Sequence, residues 1–232
     1  MTQEPSRNNP RQPGALDRDK IVEVALAIVD HQGLQGLTMR NLARELAVTA
    51  GALYLHLGSK EHLHQLLVDR VIGEIDLKVI RGESWQEIVV ATAFEMKRVL
   101  SQHRDLVQLI FGRIPVGNNF ANLLEELLAR LLEEGLSPYF ALYIGDLLAQ
   151  YVGVTVYEEQ LKKFSSDPTL ADGGVEVFFT FLERLDRQRY PTVHRVIKGL
   201  SRTDNTDRFA LGLEIIVQGI ERLENQPGNQ SL

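Results

Sequence analysis

Along most of the chain, apolar residues recur at intervals of three and four, and extended period-two alternation is nearly absent. That spacing lines one face of a helix and predicts an all-α protein. The first helix is expected over about residues 17–31, with Ile21, Ala25, Ile28 and Val29 on one face and Gly33 as its stop. Thr38 then reads as the N-cap of a helix carrying Leu42, Ala43 and Leu46. After a break at Ala47-Val48, Thr49 caps a very short third helix that ends near Leu57-Gly58. Ser59 caps a long fourth helix through Leu63, Leu66, Leu67, Val71 and Ile75.

Beyond the run Arg81-Gly82-Glu83-Ser84 the pattern restarts as a second helical block. Helices are expected from Trp85 to about Ser101, from Phe120 to Glu134, and from Ser137-Pro138 to about Lys163. A short apolar segment (105–111) and a loop (113–119) separate the first two. Residues 165–174 are polar and turn-rich. Two further helices follow, about 175–200 with a break at Pro191, and 207–223. The organisation expected is an arm over 1–15, a small helical domain over 16–62, a larger one over 63–225 and a tail over 226–232. No internal repeat or coiled-coil run is evident.

Composition narrows the chemistry. The 232 residues contain no cysteine, which excludes disulfides, thiol catalysis and Cys-ligated metals. The first sixteen residues hold no apolar stretch from which a signal peptide could be built. The most apolar long run, 141–157, is interrupted by Asp146 and Gln150 and reads as a buried helix too short and too polar for a bilayer span. A cytoplasmic location without membrane association is expected. There is no Gly-rich phosphate loop, no H-E-x-x-H and no Gly-x-Ser-x-Gly, so an enzyme is not expected. His62 and His64 are two apart, point to different helix faces and cannot share a metal. No cofactor is expected.

A capped helix, a tight turn and a capped helix barely two turns long form a helix-turn-helix pattern. The major groove admits one helix, whose N-terminal end must reach the base edges. Here that end reads Thr49-Ala50-Gly51-Ala52, and Gly51 costs a helix about 1 kcal/mol relative to Ala. Glycine is reasonable there if backbone must approach another surface, either DNA or a packed helix. Tyr54, His56 and Lys60 follow within two turns, each able to reach a phosphate. Net charge argues the other way: it is −6, and residues 17–61 carry five basic residues against six acidic. A near-neutral domain can bind DNA only through a few well-presented tips.

The run from Gly36 to Glu61, with Leu37-Thr38-Met39-Arg40 and Leu53-Tyr54-Leu55-His56 before Lys60, resembles the DNA-binding domain of the Tet repressor family. The resemblance implies DNA contacts from Thr38, Arg40, Thr49, Ala50, Gly51, Ala52, Tyr54, His56 and Lys60. Met39 stands where many relatives have a small hydroxyl residue. Leu55 stands where an aromatic can occur, and hydrophobic packing is its expected role. Gly82-Glu83-Ser84-Trp85-Gln86, His103-Arg104-Asp105, Pro115 and the run from Phe209 to Ile216 resemble the effector domain of the tetracycline-responsive members. By that resemblance the protein is an all-α homodimer, its C-terminal helices forming a four-helix bundle, that binds a palindromic double-stranded operator as a repressor and is released by a small-molecule effector. Two stripes of small residues, Gly145-Ala149-Gly153 and Gly212-Gly219, let a second helix approach closely, in a dimer or within one subunit.

The family resemblance also implies an effector pocket between the helices of 85–159. Its candidate residues are Thr92, Met96, Ile110, Arg113, Asp146, Gln150, Thr155 and Glu158; Glu158 matches a place where the partner subunit reaches in. The tetracycline-responsive relatives hold a magnesium-chelated drug partly through histidines. The corresponding places here are 74–76 and Ile110, none of them histidine, so no metal is expected. A ligand-binding dimer without DNA function remains the rival reading.

Overall fold

The computed structural model describes residues 17–111, 114–164, 175–199 and 207–226. Among the described residues the chain forms ten α-helices: α1 (Arg18–Gln32), α2 (Met39–Glu45), α3 (Ala50–Leu57), α4 (Lys60–Ile72), α5 (Trp85–Gln102), α6 (Asn118–Glu133), α7 (Pro138–Phe164), α8 (Val175–Glu183), α9 (Pro191–Gly199) and α10 (Arg208–Glu224). The all-α expectation is met. The arm expected over 1–15, the turn-rich stretch over 165–174 and all but Gln226 of the 226–232 tail lie outside the described residues.

Side-chain caps set most helix starts. The side chains of Asp17, Thr38, Thr49, Ser59, Ser84 and Asp207 each accept a backbone N–H from the first turn that follows. Two expected boundaries move. α4 stops at Ile72, with Gly73 at its end, so Ile75 lies beyond the helix rather than on it. α6 begins at Asn118, inside the stretch expected to be loop. It is capped by Asp69 of α4, whose carboxylate accepts the Phe120 N–H at 2.9 Å. The Asn119 side-chain amide donates to the Asp69 carbonyl at 3.0 Å. Gly117 lies so close to Asp69 that a Cβ there would stand 2.1 Å from the carboxyl carbon.

α1 to α3 share a small core of Ile21, Ala25, Val29, Leu42, Leu53 and Leu57. α4 packs on α1 and α3 at one end and on α5 and α6 at the other, joining both blocks. The domain division expected at 62–63 therefore falls in the first turn of a continuous helix. In the larger block α5 and α7 run along each other, with α6 and α10 packed against both. α7 is 27 residues long and apolar enough, by length and composition, to cross a bilayer. The length argument against a span therefore fails. What distinguishes α7 is its seating: Ile144, Leu148, Val152 and Val156 are buried in the protein core.

The small-residue stripes divide. A Cβ on Gly153 would meet Phe111 at 3.2 Å, and one on Gly212 would stand 2.0 Å from the Tyr151 hydroxyl. Those two glycines serve packing within the chain. Gly145 and Gly219 have nothing within 4 Å of the same position.

Candidate functional site

The first site is the outward face of α3. Leu53 and Leu57 are buried and fix the roll of the helix, which turns Thr49, Ala50, Gly51, Tyr54 and Leu55 outward. Thr49 Oγ1 accepts the Ala52 N–H at 3.2 Å, starting the helix beside its small residues. Gly51 is not a packing glycine: only Thr49 Oγ1, at 3.9 Å, lies near a Cβ placed there. Arg18 of α1 donates to the His56 carbonyl at 3.1 Å and holds the far end of α3. His56, Ala52 and Lys60 are half-buried at the edges of this face. Thr38 and Arg40, both exposed, line a concavity of about 560 Å³ with Gln32, Gly36, Asn41 and Arg44. The residues expected at DNA thus fall on α2, α3 and the start of α4. Met39 is half-buried and packs on the core. Leu55 departs from its expected packing role. It is 90% exposed, because the i+4 repeat that buries Leu53 and Leu57 leaves position 55 on the opposite side.

The expected effector residues separate into groups. Thr92 is fully buried and its hydroxyl donates to the Ile88 carbonyl at 2.7 Å, within its own helix. Met96 and Ile110 are half-buried against the core. Arg113 lies outside the described residues. Asp146 and Gln150 are exposed and bonded to each other at 2.7 Å. Thr155 and Glu158 lie on another face of α7, where they line a cleft of about 460 Å³ between α5, α7 and the start of α10.

That cleft contains groups the sequence did not single out. Tyr151 stacks on Phe209 with centroids 5.4 Å apart, and Phe94 meets Phe209 edge-on at 5.2 Å. The Tyr151 hydroxyl donates to the Arg208 carbonyl at 2.9 Å. Burial raises the Tyr151 phenol above its ordinary pKa; the charge of Arg208 opposes this, and those of Asp207 and Glu158 add to it. Lys97 pairs with Glu159 at 2.9 Å and sits 5.5 Å above the Phe209 ring. The result is a cleft with aromatic side chains at its floor and a rim of mixed charge. No sequence signal marked Phe94 or Tyr151, because aromatics at helical spacing look the same in a core and in a cleft.

A hydrogen-bonded junction joins the two blocks. Buried His103, just past α5, has Nδ1 3.2 Å from both carboxylate oxygens of Asp30 on α1 and Nε2 2.9 Å from Glu74. Buried Gln160 of α7 donates to the His103 carbonyl at 2.9 Å and accepts the Asp105 N–H at 3.0 Å. The Asp105 carboxylate in turn accepts the Leu34 N–H at 3.1 Å, in the segment between α1 and α2. Asp105 holds a left-handed backbone, φ 58°, which turns its amide to Gln160 and its side chain to Leu34. Glu74 is thus committed to His103 and to Arg70, and Ile110 offers no ligand atom. Among the described residues no group of three or more His, Cys, Asp or Glu is arranged to hold a metal ion.

Comparison with known proteins fits this two-block architecture. Residues 21–66 match the family model for bacterial regulatory proteins, tetR family, and residues 81–223 match that for the tetracyclin repressor-like C-terminal domain. The chain belongs to the TetR family of transcriptional regulators. An HTH-type transcriptional regulator of Saccharopolyspora erythraea is 34% identical over 146 residues, 63% of this chain and 62% of that relative's length. The match therefore spans less than two thirds of that protein. The class E tetracycline repressor of Escherichia coli is 31% identical over 62% of this chain and 69% of its own. Among solved structures, the TetR-family protein ActR of Streptomyces coelicolor in complex with actinorhodin superposes with a TM-score of 0.79. It is 31% identical, over 91% of this chain and 100% of the ActR chain. ActR has also been solved in complex with (S)-DNPA, with a TM-score of 0.78.

Proposed function

We propose that this TetR-family chain is a ligand-responsive transcriptional repressor: a homodimer that binds a palindromic operator through α3 and leaves it when a small molecule enters the larger block. The observation that carries the reading is α3 itself. A helix of eight residues is anchored by two buried leucines, while its small N-terminal residues and Tyr54 face outward with no packing partner for Gly51. Thr38, Arg40, Thr49, Ala50, Gly51, Ala52, Tyr54, His56 and Lys60 are the DNA-contacting set, the cations and hydroxyls positioning the helix on phosphates. The α1–α3 unit is the DNA-binding domain, and the remaining helices bind the effector and dimerise. The open glycines Gly145 and Gly219 and the exposed apolar side chains of α10, Leu211 and Ile215, support pairing with a second copy.

The effector binds along α5 and α7, in the cleft that Thr155 and Glu158 line. That ActR takes actinorhodin and (S)-DNPA supports an organic effector for the same architecture. The effector acts by preferring the arrangement in which the two α3 helices no longer match the groove spacing. Equal affinity for both arrangements would release nothing. Gln160, buried on α7 between the cleft residues Glu159 and Lys162, carries the change to His103, Asp105 and so to α1.

Binding of the purified protein to the DNA upstream of its own gene tests this reading. Salt-dependent, sequence-specific binding is expected, reduced at least about tenfold by Tyr54→Ala combined with Lys60→Ala. Both residues lie at the surface or its edge, so an unchanged helical signal checks the fold. Absence of specific binding, or indifference to the double substitution, would leave the ligand-binding dimer as the better description.

A further inference from the structure

Leu55 is the most exposed large apolar side chain among the described residues, at 90%, and it stands at the centre of the face that the proposed function turns toward DNA. It lies one helical turn beyond Gly51, so the two share a face, with Ala50 beside them. Gly51 leaves open space in front of it, and Leu55 projects past that space. Side chains that discriminate bases by paired hydrogen bonds are Arg, Lys, Asn, Gln, Asp and Glu. Residues 49–57 contain none of them. The hydroxyl oxygen of Thr49 is already engaged as the helix cap. The centre of the reading face is thus apolar. Of the groups that the four bases display in the major groove, the thymine 5-methyl is the apolar one. The flanking cations Arg40 and Lys60 match the charge of the phosphates on either side of a groove and of no apolar protein surface.

We propose that Leu55, with the small residues that open α3, reads the operator through thymine 5-methyl groups, so that each half-site carries A·T pairs with thymine methyls directly beneath Leu55. The assignment rests on the DNA-binding reading above and adds the chemistry by which sequence is recognised. Arg40, Tyr54, His56 and Lys60 set register on the backbone, and the isobutyl group of Leu55 replaces water over the methyl.

The experiment uses the full-length protein. Binding sites are selected from a random duplex library at fixed salt, and the recovered consensus is resynthesised with deoxyuridine in place of thymidine, one position at a time. That exchange removes the methyl and preserves every hydrogen-bonding group. Affinity is expected to fall about fourfold for each methyl that Leu55 covers, the contribution of roughly one buried methylene. Leu55→Ala should bind the thymine site correspondingly more weakly and lose nothing further when uracil replaces the thymine beneath residue 55. Because Leu55 contributes little to the core, the variant retains its fold. Equal affinity for thymine and uracil sites overturns the proposal, as does a Leu55→Ala protein that loses as much as the wild type when uracil replaces the thymine beneath residue 55. If no sequence is enriched at all, both this proposal and the DNA-binding reading fall; enrichment without methyl dependence removes only this one.

Discussion

Glycines show how much a single position depends on what lies across from it. Gly145, Gly153, Gly212 and Gly219 read alike in the sequence, as smooth places on apolar helices. Spacing cannot say what stands opposite, and the structure separates them into two facing open space and two facing side chains. At Gly212 the opposing group is the Tyr151 phenol, which is stacked on Phe209 and bonded to the α10 backbone, so it cannot move aside. Gly212→Ala is expected to destabilise the protein by about 1–3 kcal/mol, the usual effect of overpacking. Gly145→Ala should leave the chain's own stability unchanged or raise it by up to about 1 kcal/mol through helix propensity. Denaturant midpoints at constant m-value measure both. A neutral Gly212→Ala would mean that α10 does not sit against Tyr151. Leu55 carries the same lesson in reverse. An apolar residue between buried leucines is read as core by default, and only its angular position on α3 reveals that it faces out.

Elements whose starts are set by a neighbouring residue are legible in a sequence, and those set from a distance are not. Asp17, Thr38, Thr49 and Ser59 announce α1 to α4 because each cap lies within three residues of the amide it serves. The start of α6 was hidden because Asp69, its cap, is 51 residues away from Phe120. The junction was hidden for the same reason. His103 meets Asp30, Asp105 meets Leu34, and Gln160 meets Asp105, across separations of 55 to 73 residues. Gln160→Leu leaves the Asp105 N–H and the His103 carbonyl without that partner and should destabilise the fold by about 1–3 kcal/mol. If the junction also transmits between blocks, operator affinity should change by about 3–10-fold although residue 160 is remote from α3. Altered stability with unchanged operator affinity would confine Gln160 to a structural role. A second polar device, Glu95, is buried, accepts the Asp76 N–H at 2.9 Å and pairs with Arg98 at 2.7 Å. Hydrogen bonding from Arg98 lowers the Glu95 pKa below its ordinary value, outweighing the opposing effect of burial. A depressed folded-state pKa contributes stability above the ordinary glutamate value that is lost as pH falls through the depressed one. Melting temperature should therefore decline more steeply below about pH 4.5 in the wild type than in Glu95→Gln, and parallel curves would show that Glu95 does not titrate in this way.

At the scale of the whole molecule the acidic balance constrains how DNA can be held. Net charge is −6 per chain, and the helix-turn-helix block is close to neutral, so a large basic footprint is not available. Among the described residues, the cations near α3 for which no protein partner competes are Arg40 on α2 and Lys60 at the start of α4. Two such residues per subunit give a dimer about four phosphate neutralisations, and each contributes roughly −0.9 to the slope of log K against log salt. The slope expected is therefore about −4, well short of the value near −10 reached by a repressor that makes many phosphate contacts. On the proposed function, binding draws its remaining strength from two α3 helices engaging two half-sites at once, which a single subunit cannot do. It follows that a substitution that blocks pairing, such as Gly219→Arg at a position with open space around it, should leave a folded subunit with operator affinity reduced by about a hundredfold or more. Sedimentation and titrations at several salt concentrations measure the two effects separately. A monomeric variant that kept full affinity, or a wild-type slope near −10, would require cations and contacts that the face around α3 does not present.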